Sequence, residues 1–235
     1  MKAIILAAGQ SSRLYPRTLT KPKCLLEINK KKIINYQIDW LNQCGINDII
    51  VVVGYLSDLI INELGDKVRY RTYKDYFKTN NLSTLNSIRD ELDEDTIILF
   101  SDVLLSYELL KKCINSKDDF NLIIDKNNIS DKTMRVVIKN DLIFDIGGHI
   151  PISKANANFI GIAKFSKLAA SALRQKISFY ANDRSFINSY YTSVLIDLAK
   201  NNYKIKYTDV KNEPWIEIDD EADYKSAIDN FVLWK

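Results

Sequence analysis

The chain has 235 residues, 46% hydrophobic and 27% charged, which is close to average globular usage and long enough to bury a full core. Lys+Arg 33 against Asp+Glu 30 leaves a net charge of only +3, which excludes the basic excess by which proteins hold nucleic acid. One histidine, His149, and three widely spaced cysteines, Cys24, Cys44 and Cys113, exclude a two-histidine metal site, an HxGH motif, a zinc site and a disulfide framework.

The charge is unevenly placed. Residues 1–32 carry eight basic side chains against one acid, Glu27, which leaves 25 basic and 29 acidic for the rest and points to a local anion site. The longest apolar runs, Ile4–Ala8, Ile49–Val53 and Ile97–Phe100, fall far short of the roughly 20 residues of a spanning helix. The run after Lys2 ends at Gly9, too soon for a secretory leader, so no membrane insertion and a cytoplasmic setting are expected.

Ala3–Ala8 reads as a strand buried on both faces, closed by Gly9 and followed by a long polar loop to about Lys23. Helical spacing over Ile33–Leu41 stops at Gly45, and Asp48–Val53 is a second buried strand. The alternation continues with a helix at Ser57–Leu64, a strand at Val68–Tyr73 and a helix at Asn80–Leu92. A strand at Thr96–Phe100, a helix at Tyr107–Ile114 and a strand at Phe120–Ile124 follow. From Met134 to Phe165 β-branched segments separated by Lys139-Asn140-Asp141 and Gly147-Gly148 predict antiparallel strands. Helices at Lys167–Ile177 and Ile187–Ala199, a strand at Lys204–Tyr207, the extended Pro214–Asp219 and a helix from Glu221 to about Val232 complete the pattern. The expected fold is α/β: a Rossmann-like open, mostly parallel (mixed) sheet with helices on both faces and a small antiparallel excursion. One domain, 1–235, is expected, and its excursion near 133–165 could serve as a lid or an oligomer surface, a homodimer included.

Glycine is scarce at 7 residues, so Gly9 directly after the first strand marks a backbone position with a special need. Leu6-Ala7-Ala8-Gly9-Gln10-Ser11-Ser12-Arg13, continuing to Lys21-Pro22-Lys23, places small residues, free N–H groups, hydroxyls and cations at a strand's carboxyl end. That combination suits a triphosphate cradle, in which Ser11 and Ser12 bond phosphate oxygens while Arg13 and Lys23 neutralise charge. Gly, Ser and Arg alone also fit an ordinary basic loop. The segment is neither G-x-G-x-x-G nor G-x-x-x-x-G-K-[ST].

Ala-Ala-Gly-x-x-Ser-Arg-Leu followed by Lys-Pro-Lys resembles the signature of the nucleotidyltransferase family that activates sugar 1-phosphates and small phosphorylated alcohols. Asn80-Asn-Leu-Ser-Thr-Leu85, Ser101-Asp-Val103, Phe159–Phe165 and Trp215-Ile-Glu-Ile-Asp219 come in the order of its branch of phosphocholine and 2-aminoethylphosphonate cytidylyltransferases. Gln10-Ser11 in place of x-Gly, and Ser101 in place of Gly, depart from the pattern without removing a charge. The resemblance implies a Mg²⁺ ion held by Asp102, Glu217 and Asp219, with Asp102 also in the nucleotide site, and base or triphosphate contacts at Asn81 and Ser83. By residue type alone, Asp102 is also a strand-end turn, Glu217 and Asp219 a solvated face, and the asparagines an N-cap.

The partners implied are CTP and a small phosphorylated or phosphonylated acceptor. Lys23 and Arg13 are the expected catalytic cations, and Trp215, Tyr190 and Tyr191 the expected acceptor contacts, although core packing explains most aromatic residues equally well. Two other classes compete: a sugar-1-phosphate nucleotidyltransferase serving surface polysaccharide synthesis, and a non-enzymatic nucleotide-binding module. Arg13, Lys23, Asp102, Glu217 and Asp219 together speak against the module, and Asn80–Leu85 against the sugar enzyme.

Overall fold

The computed structural model of the chain describes residues 1–181 and 183–230. In chain order the elements are β1 (Lys2–Ala7), β2 (Glu27–Ile28), β3 (Lys31–Lys32), α1 (Ile33–Gln43), β4 (Asp48–Val53), α2 (Ser57–Leu64) and β5 (Arg69–Thr72). Then come α3 (Asn81–Asn86), β6 (Thr96–Phe100), β7 (Val103–Leu105), α4 (Tyr107–Ile114), β8 (Phe120–Asp125), β9 (Met134–Lys139), β10 (Leu142–Gly147) and β11 (Ala157–Phe165). The last are α5 (Lys167–Ala181), α6 (Thr192–Lys200), β12 (Ile205–Asp209), β13 (Trp215–Glu217) and α7 (Glu221–Asp229).

Nine strands form one mixed, Rossmann-like sheet. Its first half, β5-β4-β1-β6, is parallel throughout, as expected of strands joined by helical crossovers. Along β1 the apolar run divides between two cores. Ala3, Ile5 and Ala7 face one side with Ile34, Ile38 and Leu41 of α1, while Ile4 faces the other with Leu173 and Ile177 of α5 and Leu195 of α6. Both faces are covered, which is why the strand reads as continuous hydrophobic sequence.

The second half turns on β11. Its residues Ile162–Phe165 run antiparallel to β6, while Ala157–Phe159 pair with β9, the first strand of the β9–β10 hairpin. A register shift between Phe159 and Ala163, at Gly161 (φ +83°), separates the two stretches, and β8 lies along the opposite edge of both. The antiparallel strands expected over 134–165 are present, and they continue the main sheet instead of leaving it.

Two predicted helices are shorter than their periodicity implied. The helix over Asn80–Leu92 breaks after Asn86, where Ser87 Oγ donates to Thr84 O at 2.7 Å, and resumes as a 3₁₀ turn at Arg89–Glu91. The helix from Ile187 begins only at Thr192, because residues 187–191 dock α3. Ile187 O accepts from Asn80 N, Ser189 O accepts from Leu82 N, and Tyr191 N donates to Asn81 Oδ1 at 2.8 Å. The last helix is described to Asp229, and residues 231–232 of its predicted span lie outside the described residues. No helix among the described residues is long and apolar enough to cross a membrane.

Candidate active site

The carboxyl ends of β1 and β6 open onto a cleft of about 510 Å³, where an open α/β sheet is built to receive a ligand. After β1, Ser11 takes a left-handed backbone (φ 54°), and Thr18 Oγ1 donates to Ser11 O at 2.9 Å, which ties down the loop. Beneath the loop Tyr55 N donates to Ala8 O at 3.0 Å. Gly54 has no room for a side chain, since a Cβ there would sit 2.8 Å from Ala8 O, 2.9 Å from Tyr73 O and 2.7 Å from the Tyr76 ring.

Lys23 lies in a short 3₁₀ turn behind Pro22 and is only 7% exposed. Its Nζ donates at 2.9 Å to Asp102 Oδ2 and at 2.9 Å to Asp219 Oδ1. Burial by itself would lower the ammonium's pKa, but the two carboxylates outweigh it and hold Lys23 well above the ordinary lysine range. Arg13 Nη2 reaches the same Asp219 Oδ1 at 2.9 Å from a largely exposed position. The neighbouring Cys24 is buried and its thiol is pushed up to about 12, so it supplies no thiolate.

A two-stranded ribbon, whose pairing is missing from the sequence reading, assembles the acids. β7, just past Asp102, pairs antiparallel with β13, Glu217 facing Val103, and Ile218 N donates to Asp102 O at 3.0 Å. One carboxylate oxygen each from Asp102, Glu217 and Asp219 thereby falls within 4.8 Å of the others. Burial, then the charges of Asp102 and Asp219, push the Glu217 carboxyl up to about 9. Asp102 Oδ1 is buried with no hydrogen-bond partner among the described residues. Three hard oxygen donors, one of them orphaned, beside a cleft of this size fit a Mg²⁺ ion.

Of the expected nucleotide residues, Leu6, Ala8, Gly9, Ser11, Arg13, Lys23, Asn81 and Asp102 line the cleft, as do Tyr190, Glu217 and Asp219. The side chain of Ala7 turns into the core, those of Gln10 and Ser12 point outward, and Ser83 Oγ is spent on Ile187 O at 3.2 Å. Asn80 caps α3, its Oδ1 accepting from Asn81 N at 2.8 Å. Asn81 Oδ1 holds Tyr191 N, and among the described residues no hydrogen bond engages the Asn81 amide N–H₂.

Tyr191 is a correction. It is 0% exposed, packs edge-on against Phe100 with centroids 6.0 Å apart, and lies in the core beneath the cleft, out of an acceptor's reach. Trp215 lines a second cavity of about 230 Å³ and donates from Nε1 to Asp125 Oδ2 at 2.9 Å. Sequence reasoning missed Lys132, Thr133 and Gly148, which line the cleft, and Asp125 in the second cavity. They sit in or beside loops whose composition reads as turn, so no local signal marks them.

Residues 3–123 match the MobA-like NTP transferase domain. The chain is 33% identical to the CTP:phosphoglutamine cytidylyltransferase of Campylobacter jejuni, across 97% of its own length and 100% of that protein's. It is 43% identical to the choline-phosphate cytidylyltransferase of Streptococcus pneumoniae over 42% of the chain and 43% of that protein. The solved structure of the CTP:phosphocholine cytidylyltransferase from Streptococcus pneumoniae matches with a TM-score of 0.84 and 27% identity, covering 98% of each chain. With residues 3–123 matching the family and a cytidylyltransferase 33% identical across its whole length, the chain belongs to the family of the MobA-like NTP transferase domain.

Proposed function

We infer that the chain is a Mg²⁺-dependent cytidylyltransferase, acting as one domain, which joins CMP to a small phosphorylated or phosphonylated amino-alcohol and releases pyrophosphate. The observation that carries this is the meeting of a buried ammonium, Lys23, with Asp102 and Asp219 at 2.9 Å each, at the mouth of a cleft walled by the loop after β1. The names of the relatives, cytidylyltransferases of phosphoglutamine and choline phosphate, favour cytosine over other bases and a phosphorylated small molecule as acceptor.

In this reading a phosphoryl or phosphonyl oxygen of the acceptor attacks the α-phosphorus of CTP in line. The bond from that phosphorus to the bridging oxygen breaks, and pyrophosphate takes the electron pair. The nucleophile is already ionised, so no general base is needed and the protein contributes position and charge. The N–H groups and Ser11 hydroxyl of the loop hold phosphate oxygens, and Arg13 neutralises the departing pyrophosphate. Lys23, fixed from below, donates to the α-phosphate as its charge grows. Asp102, Glu217 and Asp219 would hold a Mg²⁺ ion, which would supply Lewis-acid neutralisation of phosphate charge. The Asn81 N–H₂ suits the acceptor atoms of cytosine.

The test is pyrophosphate release from CTP, UTP, dTTP, GTP and ATP against phosphocholine, phosphoethanolamine, 2-aminoethylphosphonate, glycerol phosphate and sugar 1-phosphates. CTP with an amine-bearing acceptor is expected to lead in kcat/KM. A sugar 1-phosphate, or an acceptor without an amine, winning by more than about tenfold, a margin of about 1.4 kcal/mol, defeats the assignment in favour of the sugar enzyme.

A further inference from the structure

The second cavity adjoins the main cleft, and Lys132, Thr133, Glu217 and Asp219 line both. Asp125 and Trp215 line the smaller one alone. Asp125, the last residue of β8, is 1% exposed. Its carboxylate accepts from Trp215 Nε1 at 2.9 Å, from Asn127 N at 2.8 Å, and from Asn128 N and Nδ2 at 3.4 Å each. All four donors are neutral, and among the described residues no cation pairs with it. A buried carboxylate ordinarily has a cation beside it, because hydrogen bonds alone offset only part of the cost of removing charge from water. Here an indole and an open cavity occupy that place.

Lys132 is the one cation among the described residues of this cavity. It stands on the wall between the two chambers, half-exposed, with Nζ 2.8 Å from Asp220 Oδ2 and 3.1 Å from Asp223 Oδ1. The cavity's one positive side chain among the described residues therefore stands at its boundary with the nucleotide cleft, where Glu217 and Asp219 also lie. Its volume equals roughly eight water molecules, at about 30 Å³ each, which suits a chain of a few heavy atoms.

We propose that the smaller cavity is the acceptor chamber, with Lys132 receiving the phosphoryl or phosphonyl end and buried Asp125, with the Trp215 indole, receiving a cationic amine. The assignment rests on the cytidylyltransferase reading and adds a polarity to it. An acceptor lying this way has its nucleophilic oxygens at the shared wall, beside Asp102, Glu217 and Asp219, and its charged tail away from the phosphates. Asp125 already holds four donors, so it offers charge more than vacant lone pairs. Recognition is then by charge and indole contact, and an ammonium without N–H groups is held as well as a primary one.

The experiment compares phosphocholine with 3,3-dimethylbutyl phosphate, its uncharged carbon isostere, by equilibrium binding and by pyrophosphate release with CTP. Wild type should bind phosphocholine more tightly by on the order of tenfold, the scale of one desolvated cation contact. Asp125→Asn should bring that ratio close to one. Lys132→Gln should weaken both ligands alike and leave the ratio unchanged, which separates the two ends of the chamber. Equal binding of the two ligands by wild type, failure of wild type to bind phosphocholine, or an Asp125→Asn enzyme that keeps the ratio overturns the proposal. Should Asp125→Asn not fold, the wild-type comparison and Lys132→Gln decide. A charge preference without pyrophosphate release from any nucleotide leaves the chamber standing and removes the cytidylyltransferase reading; turnover without charge preference does the reverse.

Discussion

Lys23 is an ammonium that the fold has already desolvated and placed between carboxylates, so its position costs nothing further when a phosphate arrives. Lys23→Ala is expected to lower kcat with CTP by on the order of 10²-fold or more, the usual effect of removing a preorganised charge contact. Turnover within a few-fold of wild type would remove Lys23 from the reaction. Asp102→Asn and Asp219→Asn address the acids. Each keeps a side chain of the same shape, so the fold should stay intact, with Tm lowered by the loss of one carboxylate from buried Lys23, while the Mg²⁺ concentration for half-maximal rate rises and the rate falls. Activation curves that superimpose on wild type for both variants would show that no ion is shared there. The family resemblance is what picked these acids out of the sequence, since by residue type alone Asp102 also reads as a strand-end turn and Asp219 as a solvated face. Asp125, Lys132 and Tyr191 were not legible that way. Burial and contacts across 88 to 110 residues decide their roles, and an aromatic beside a motif reads alike whether it faces the cleft or, like Tyr191, the core.

Among elements, legibility followed how far local pattern was left undisturbed. Asp48–Val53, Ser57–Leu64, Thr96–Phe100 and Tyr107–Ile114 have the bounds their periodicity predicts, since hydrophobic spacing and flanking turn residues agree there. The helix from Asn80 fell short at Asn86, where the Ser87 hydroxyl turns back onto Thr84 O, and the helix from Ile187 started late because residues 187–191 bond to the first turn of α3. The extended reading of Pro214–Asp219 covers β13, whereas β7 and its pairing with β13 went unread, since a three-residue strand carries too little pattern. Gly161 is the element-scale residue that invites a test. At φ +83° a Cβ would be strained by roughly 1–2 kcal/mol, and it would also sit 2.6 Å from Phe100 Cδ2. Gly161→Ala should lower Tm by several degrees, about 2–4 °C per kcal/mol for a chain of this size, and raise KM for CTP because Phe100 lines the cleft. An unchanged Tm would mean that the bulge relaxes without strain.

Over the whole molecule, the end of the sheet opposite the cleft is closed by charge. Glu91, on the 3₁₀ turn after α3, takes Lys2 Nζ at 3.1 Å and Arg69 Nη1 at 3.2 Å, joining the first residues of β1 and β5. Burial tends to raise the Glu91 carboxyl, but the hydrogen bonds from Arg69 and Lys2 outweigh it and bring it down to about 2. A carboxyl depressed in the folded state stabilises fully above its ordinary value of 4.5, and that stability drains away as pH falls from there toward about 2. Denaturant unfolding should lose on the order of 1–3 kcal/mol across that window. Glu91→Gln should be less stable at pH 7 and show a flatter acid limb; parallel acid limbs for the two proteins would remove Glu91 as the cause. The cleft itself draws on β1, the α3 region, β6, the loop before β9 and β13. Family resemblance disclosed that convergence where periodicity could not, because periodicity describes one element at a time.

β11 belongs to two neighbourhoods, with β6 beside one stretch of it and β9 beside the other, and β8 runs along both. The nucleotide wall and the wall that carries Lys132 are thus stitched by a single thread of nine residues. A thread shared in this manner cannot release one side and keep the other, so the two walls should melt in one calorimetric step. The β11 amides on either side of Gly161 should also exchange with solvent at the same slow rate as those of β1.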